Sequence, residues 1–169
     1  MNLLFKILLS VNATSWMIII YAIKEKWTLF GIPYYFTGLL LLIIPIILSV
    51  ISIKLSELLG KDSIRYIKEF SLADNEFLPT YLGYFFVSLS VPEDLPTMLI
   101  VYCIVFVFTF VSQSQYFNPI YLVLGYHYYH ILTEQGTKVF VISRGSVVRR
   151  KEDLITNNLK RINDSTYIV

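Results

Sequence analysis

The sequence predicts an integral membrane α-helical protein, in which four transmembrane helices are followed by a small β-rich cytoplasmic tail domain. Three observations predict this class. Only 15% of the 169 residues are charged, whereas a soluble domain usually has about 25%. The apolar residues form four blocks without charge, and the basic residues are distributed unequally around these blocks. We therefore expect a membrane region at residues 1–117 and a tail domain at residues 118–169.

The four charge-free blocks differ in length. They cover residues 7–23, 27–53, 77–92 and 95–133. A helix needs roughly 17 to 25 apolar residues to cross the hydrocarbon core of a bilayer. Three blocks meet this requirement, but the third has only 16 residues. From its length alone, the complete crossing of the third block stays an open question.

The placement of the basic residues predicts the topology. Lys and Arg resist translocation, so they collect in the cytoplasmic segments of membrane proteins. If all four blocks cross and the N-terminus is cytoplasmic, only Lys24 and Lys26 of the 14 Lys and Arg residues lie outside. If the third block did not cross, the basic tail would lie outside instead. The sequence therefore predicts a multi-pass membrane protein with both termini in the cytoplasm.

The second block contains Pro45 near its middle. Proline lacks a backbone N–H, and its ring clashes with the preceding turn, so we expect a kink in the second helix. Such a kink is either a hinge for gating or a fixed feature of the helix shape. We name Pro45 as the candidate hinge.

Residues 54–76 are expected to connect the second and third spans on the cytoplasmic side. Their apolar side chains recur at roughly helical intervals, with basic side chains at other positions. This pattern predicts a basic amphipathic helix on the inner membrane surface or on a partner. We expect a break near Gly60, with Asp62 or Ser63 as an N-cap. The apolar positions are Leu55, Leu58, Leu59, Ile64, Ile67 and Phe70.

The tail begins with two predicted strands at residues 126–133 and 138–143. The loop between them contains Gly136, which can supply the positive φ of a short hairpin connection. Residues 139–142 are apolar on both faces, so we expect them to form the central strand of a sheet.

The last part of the tail is predicted to form a short helix and a strand. The helix covers residues 152–161 with an interruption near Asn157, and the closing strand covers residues 165–169. A tail of about 50 residues is marginal for an independent fold. We therefore expect it to pack on the membrane helices, on sister subunits or on a partner.

The sequence lacks the residue patterns of enzymes and coupled transporters. Its two histidines, His127 and His130, point to opposite faces if their segment is a strand. On a helix they would share a face, but no Cys or carboxylate cluster completes a metal site. No phosphate loop or Ser-His-Asp spacing occurs, and the predicted spans carry no charged side chain. We expect neither an enzyme nor a transporter, and no cofactor.

The tail carries a basic cluster beside the predicted hairpin, and three interpretations stay open. The cluster faces anionic lipid headgroups, where each near-surface charge contributes about 1 kcal/mol, or it docks an acidic partner, or it contacts nucleic acid. Of these three interpretations, direct contact with nucleic acid is the one that we do not expect. The cluster contains Arg144, Arg149, Arg150, Lys151, Lys160 and Arg161. The residues of the candidate docking surface are Tyr126, Tyr128, Arg144, Arg149, Arg150 and Lys151.

The whole chain resembles the KwaA family, the membrane subunits of the Kiwa anti-phage defence system. The resemblance rests on four short spans, compact outer loops and a basic β-rich tail. It is most specific in residues 118–121, in residues 125–129 and at the hairpin end at residues 141–144. The family has no catalytic motif, so the resemblance implies no catalytic residues.

The resemblance implies a sensor of phage infection in the bacterial inner membrane. Such a subunit would work as a homo-oligomer, a tetramer by the resemblance, and would anchor a soluble DNA-binding effector, KwaB. The outer loops are too short to bind a large ligand. A stimulus would instead act on the bilayer or on helix packing, through the kink at Pro45 and the short third span.

Two other functions stay open. The first is a small homo-oligomeric channel, in which polar side chains of the spans line a path between subunits. Such side chains also serve as ordinary hydrogen-bonding groups between helices. The second is a structural membrane scaffold without a role in defence. The candidate channel residues are Ser88, Ser90, Thr97, Thr109, Ser112, Gln113 and Ser114.

Overall fold

The computed structural model describes residues 3–64, 66–112, 118–150 and 157–169. These residues form two compact units. The helical unit contains Leu3–Ser52 and Phe77–Asn118, and the sheet unit contains Ile53–Glu76 and Pro119–Val169. Residues 54–76, which the sequence predicts as a connector within the membrane region, are therefore part of the sheet unit.

Three helical segments are long and apolar enough to cross a membrane. They are α1 (Leu3–Lys24), the segment Tyr34–Ser56 and α5 (Leu95–Ser112). Helix α4 (Phe77–Ser90) is apolar but has only 14 residues, a length of about 21 Å. Since the hydrocarbon core is about 30 Å thick, a fourth span is not confirmed. The apolar helices suggest a membrane protein.

Helix α1 lies at the centre of the helical unit. It packs against α2 (Tyr34–Leu41), α4 and α5. Half of the most apolar 18-residue stretch of α1 is buried, whereas only 11% of the corresponding stretch of α5 is buried. The outward side chains of α5 include Ile100 and Phe108, each more than half exposed. Soluble monomers rarely expose so large an apolar surface, so lipid or another apolar surface is its natural environment.

The second candidate span is interrupted at Leu42. Helix α2 ends at Leu41, and α3 begins at Ile43 and ends at Ser56. Pro45 cannot donate a hydrogen bond to the carbonyl of Leu41, and its ring crowds that carbonyl. Leu42 keeps helical backbone angles (φ −62°, ψ −19°), so the break between α2 and α3 consists of the hydrogen bond that Pro45 cannot donate to Leu41, one turn before the proline. The kink expected at Pro45 stays a prediction.

The sheet unit contains a mixed sheet of six strands. The strand order is β1-β5-β6-β4-β3-β2, and neighbours are antiparallel except for β4 and β6, which are parallel. The short helix α6 (Pro119–Val123) leads into β3. The strands are β1 (Lys61–Asp62), β2 (Ile67–Leu72), β3 (Tyr126–Thr133), β4 (Lys138–Arg144), β5 (Leu159–Arg161) and β6 (Thr166–Ile168).

The predicted hairpin and the predicted central strand are both confirmed. Strands β3 and β4 pair from Tyr126 opposite Arg144 to Leu132 opposite Lys138. Gly136, in the loop between them, has φ +79°. Strand β4 lies between β3 and β6, and its five middle residues are buried.

The sheet has apolar side chains on both faces. On one face, Tyr129, Val141 and Leu159 belong to a buried cluster. On the other face, the ring of Tyr128 stacks on Phe140 with 5.6 Å between the ring centroids. Burial on both faces explains why β4 is a continuous apolar run.

The predicted amphipathic helix over residues 54–72 is wrong beyond Ser56, where α3 ends. Residues 67–72 form strand β2, which pairs with β3, and the register shifts between Ile67 and Glu69. A β-bulge adds one residue to a strand. Because of this extra residue, Ile67 and Phe70 both pack on the same apolar cluster although they are three positions apart. The three-residue spacing of Ile67 and Phe70 is also the spacing of side chains on one face of a helix.

The predicted helix over residues 152–161 is wrong in its described part. Leu159–Arg161 form strand β5, and residues 152–156 lie outside the described residues. Leu159 is fully buried in the sheet core, which favours pairing over helix formation. The predicted closing strand is confirmed as β6, although it lies inside the sheet, between β5 and β4.

Candidate functional site

A buried polar cluster joins three distant parts of the helical unit. The side-chain amide of Asn12 donates to Oγ of Ser49 at 2.9 Å. The side-chain amide of Asn118 donates to the same oxygen at 3.0 Å. Asn12 and Ser49 have no exposed surface, and Asn118 is 2% exposed. We call these three residues the polar node.

The polar node lies next to the interrupted helix. The hydroxyl of Ser49 donates to the carbonyl of Pro45 at 2.7 Å. A serine that bonds back to the carbonyl four residues earlier tends to bend its helix. The node therefore connects α1, the proline turn of α3 and the residue that precedes α6.

The polar node is not fully satisfied. Within the part of the chain that the structure describes, Oδ1 of Asn12 is buried and has no hydrogen-bond partner. An unpaired buried polar atom costs about 1–3 kcal/mol. A leucine of similar size would avoid this cost, so the packing of α1 does not by itself explain an asparagine here.

Other polar side chains of the helical unit also bond within the chain. The hydroxyls of Tyr84 and Thr109 are 2.9 Å apart, and Ser88 donates to the carbonyl of Met17 at 3.0 Å. Ser90 bonds within its own helix, and Thr97 bonds to Asp94 in the first turn of α5. These four candidate channel residues are therefore engaged inside one protomer. Ser112 bonds to the carbonyl of Thr109 at 3.4 Å, and Gln113 and Ser114 lie outside the described residues.

The two histidines each pair with a carboxylate. Nδ1 of His127 lies 2.6 Å from Oδ2 of Asp74, and Nε2 of His130 lies 2.8 Å from Oε2 of Glu76. Oδ1 of Asp74 also accepts from the backbone N–H of Tyr128 at 2.7 Å. The strand prediction for these histidines is confirmed. No group of three His, Cys, Asp or Glu side chains suited to a metal occurs among the described residues.

The candidate docking residues divide into a buried pair and an exposed set. Tyr126 and Tyr128 are buried in the sheet unit, at 5% and 0% exposure. Burial raises the pKa of the Tyr126 phenol, and the Arg144 guanidinium, 5.9 Å from the ring centroid, opposes part of that rise. Tyr126 is therefore neutral at physiological pH, and its ring lies next to the Arg144 guanidinium.

The exposed docking residues lie at the end of β4 and on the segment that follows it. Residues 143–150 line a concave surface of about 420 Å³, and Arg144, Arg149 and Arg150 are exposed on it. We call this segment the basic loop. The N–H of Gly145 donates to the carbonyl of Gly125 at 3.0 Å, and the N–H of Val148 donates to Oη of Tyr129 at 2.9 Å. Lys151 lies outside the described residues.

A family model described as anti-phage protein KwaA matches residues 5–168, which is nearly the whole chain. The chain belongs to the KwaA family. The resemblance seen in the sequence is therefore confirmed, and the match covers residues of both units. Searches of the curated proteins and of the solved structures return no match. Membership in the KwaA family supports a role in defence against phage.

Sequence reasoning missed the polar node of this KwaA-family chain. Asn12 was visible as a polar interruption of the first block, and Asn118 as a break before Pro119. Nothing in the local pattern indicates that both side chains bind Ser49, because periodicity describes one element at a time. A polar residue inside each of two charge-free blocks was the available signal.

Proposed function

We propose that this KwaA-family protein is a sensor and scaffold in the bacterial inner membrane. It detects phage infection at the membrane, and it anchors and regulates a soluble DNA-binding effector, KwaB. The family assignment and the three apolar segments support this proposal. We further propose four spans with both termini in the cytoplasm, because this arrangement leaves only Lys24 and Lys26 outside.

The polar node is the observation that carries the proposal. Asn118 is the last residue of the helical unit, and the chain continues directly into α6 and β3 of the sheet unit. A shift of α1 relative to α3 moves Asn12 relative to Ser49. It therefore disturbs the hydrogen bonds at the oxygen that also accepts from Asn118. The node thus offers a covalent and hydrogen-bonded path from helix packing to the sheet unit.

The free energy of hydrophobic mismatch and that of the hydrogen bonds in the polar node are of similar size. Helix α4 is about 9 Å shorter than the hydrocarbon core, and hydrophobic mismatch costs fractions of a kcal/mol per Å. Hydrogen bonds between transmembrane helices contribute about 0.6 kcal/mol on average. A change of a few Å in local bilayer thickness is therefore large enough to compete with the bonds of the node. A sensor of bilayer state needs this balance.

We propose that the exposed apolar surface of α5 contacts lipid and sister subunits. Apolar side chains are exposed along most of the length of α5, and Ile100 and Phe108 are two of them. Close packing of copies through this surface would give a homo-oligomer, for which we propose a tetramer. The sheet unit would then be present in several copies and would hold the effector with increased avidity.

The experiment compares Asn12→Leu with Ser90→Ala in cells that carry the effector. Leucine removes the bond to Ser49 and also the unpaired oxygen, so we expect normal expression and normal co-purification of the effector. We expect plating protection against phage to fall at least tenfold, because the node no longer reports helix packing. Ser90 is exposed and bonds only within its own helix, so Ser90→Ala should protect normally.

Three outcomes would count against the proposal. Full protection by Asn12→Leu would remove the node from the signalling path. The absence of a co-purifying soluble partner from the wild-type protein would remove the scaffold role. Ion conductance of the purified protein in liposomes, with no partner, would favour the channel.

A further inference from the structure

We propose that the basic loop is a binding site for a phosphate group. The ligand is either the headgroup of an anionic phospholipid or a soluble phosphate compound, which share this chemistry. The proposal does not depend on the sensor function, because it rests on residues 143–150 alone.

The charges of the basic loop are not neutralised within the described part of the chain. No carboxylate of the described residues lies within ion-pair distance of Arg144, Arg149 or Arg150. Three guanidinium groups within seven residues therefore face solvent from one concave surface. Guanidinium groups present paired donors that match the oxygens of phosphate. This arrangement leaves an excess of positive charge that a phosphate would compensate.

The backbone of the basic loop adds donors. Gly145 has φ +131°, and no atom lies within 4 Å of the position that a β-carbon would take. Among the described residues, the N–H groups of Ser146 and Val147 have no hydrogen-bond partner, so both can donate to an anion bound at the loop. The exposed hydroxyl of Ser146 is a further donor at the same place.

The basic loop is held in shape before any ligand binds. Its first residues are fixed by the Gly145–Gly125 bond and by the contact of Arg144 with the ring of Tyr126. Its later part is fixed by the bond from Val148 to Oη of Tyr129, a residue with no exposed surface. A preformed loop loses less conformational entropy on binding, which favours affinity for a small ligand.

The composition of the loop argues against single-stranded nucleic acid as the ligand. Residues 143–150 contain no aromatic side chain, whereas proteins that bind single strands stack bases on aromatic rings. The concavity of about 420 Å³ suits one headgroup or one small anion. An acidic protein surface would use a broader and flatter region.

The test measures ligand binding by the purified full-length protein in a zwitterionic detergent. The probes are phosphatidylglycerol, phosphatidylcholine, inorganic phosphate and pyrophosphate, added singly and followed by native mass spectrometry and thermal shift. The variant is Arg149→Gln/Arg150→Gln. The matched control is Lys68→Gln/Lys138→Gln, which removes the same charge from exposed positions of the same unit.

We expect the arginine variant to bind the preferred phosphate probe about thirtyfold more weakly, as expected for two charges near an anionic group. The lysine control should bind within threefold of the wild-type protein. Selective binding of phosphatidylglycerol over phosphatidylcholine supports a lipid headgroup. Binding of inorganic phosphate or pyrophosphate without phosphatidylglycerol supports a soluble ligand.

A conservative variant protects the test against a folding defect. Arg149→Lys/Arg150→Lys keeps the charge but lacks the paired donors, so we expect intermediate binding and an unchanged unfolding temperature. Equal loss of binding in Arg149→Gln/Arg150→Gln and in the control Lys68→Gln/Lys138→Gln would overturn the proposal, since it would indicate non-specific attraction. Loss of effector co-purification in the arginine variant, with no phosphate binding by the wild-type protein, would also overturn it, in favour of protein docking.

Discussion

Asn12 and Asn118 both donate a side-chain amide hydrogen to one oxygen, Oγ of Ser49, at 2.9 and 3.0 Å. One residue belongs to the first helix, and the other is the last residue of the helical unit. A single hydroxyl therefore holds the beginning and the end of this unit to the same point of α3.

Replacing Ser49 by alanine is expected to destabilise the helical unit by about 1–2 kcal/mol. The change leaves two buried amide groups without their acceptor, and an unsatisfied buried donor costs about 1–3 kcal/mol, although partners in the membrane reduce this cost. The measurement is the unfolding free energy or the unfolding temperature in detergent. Ser90→Ala is the control, since its hydroxyl bonds only to Phe86. Equal stability of the two variants would show that the node contributes nothing to packing.

The two histidine–carboxylate pairs are expected to differ in strength. His127 and Asp74 are mostly buried, with side-chain exposures of 21% and 16%, whereas His130 and Glu76 are 45% and 51% exposed. Asp74 also accepts from the N–H of Tyr128. Exposed ion pairs contribute about 0–1 kcal/mol, whereas hydrogen bonds to charged groups contribute about 1.5–3 kcal/mol.

Two double-mutant cycles with alanine test this difference. The coupling free energy between residues 74 and 127 should exceed that between residues 76 and 130 by at least about 1 kcal/mol. Asp74→Ala should also cost more than His127→Ala, because it leaves the N–H of Tyr128 without its acceptor. Similar coupling in the two cycles would contradict the assignment of Asp74 as the link between β3 and the turn before α4.

Strand β2 offers a test of the bulge. Deleting Lys68 removes the extra residue and leaves Ile67 two positions from Phe70, so in a regular strand both side chains still face the apolar cluster. Deleting both Lys68 and Glu69 places Ile67 next to Phe70 and turns it to the opposite face, and exposing a side chain of this size costs about 1.5–3 kcal/mol. We expect the double deletion, but not the single deletion, to lower the unfolding temperature clearly and to speed amide hydrogen exchange in β2. Lys68→Ala, which keeps the bulge and changes only an exposed side chain, should behave as the wild-type protein does.

The same bulge explains where the sequence prediction failed. The two strand-like segments, the apolar run at residues 139–142 and Gly136 were enough to predict β3, β4 and the loop between them, since these signals are local. In β2 the local signal was misleading, because Ile67 and Phe70 have helical spacing but reach the same core through an irregular strand. Pairing with β3 decides the structure there, and pairing partners lie far away in sequence.

The candidate sites show a similar division. Arg144, Arg149 and Arg150 could be found from the sequence because a charge cluster is visible in it, and the structure leaves them exposed on one loop. Tyr128 was predicted to be a docking residue, but its ring stacks on Phe140 and is buried in the core. Whether a side chain faces the core or a partner depends on the faces of the assembled sheet, which one strand does not reveal.

Pro45 is expected to matter for signalling more than for stability. Leucine at this position restores the hydrogen bond to the Leu41 carbonyl and lets α2 and α3 join into one continuous helix, which removes the interruption at Leu42. We expect Pro45→Leu to be at least as stable as the wild-type protein and to reduce plating protection at least tenfold. The control is Pro79→Ala, because Pro79 lies in the first turn of α4, where proline removes no helical bond. Normal protection by Pro45→Leu would mean that the interruption is only a feature of helix shape, and it would leave the short helix α4 as the candidate moving element.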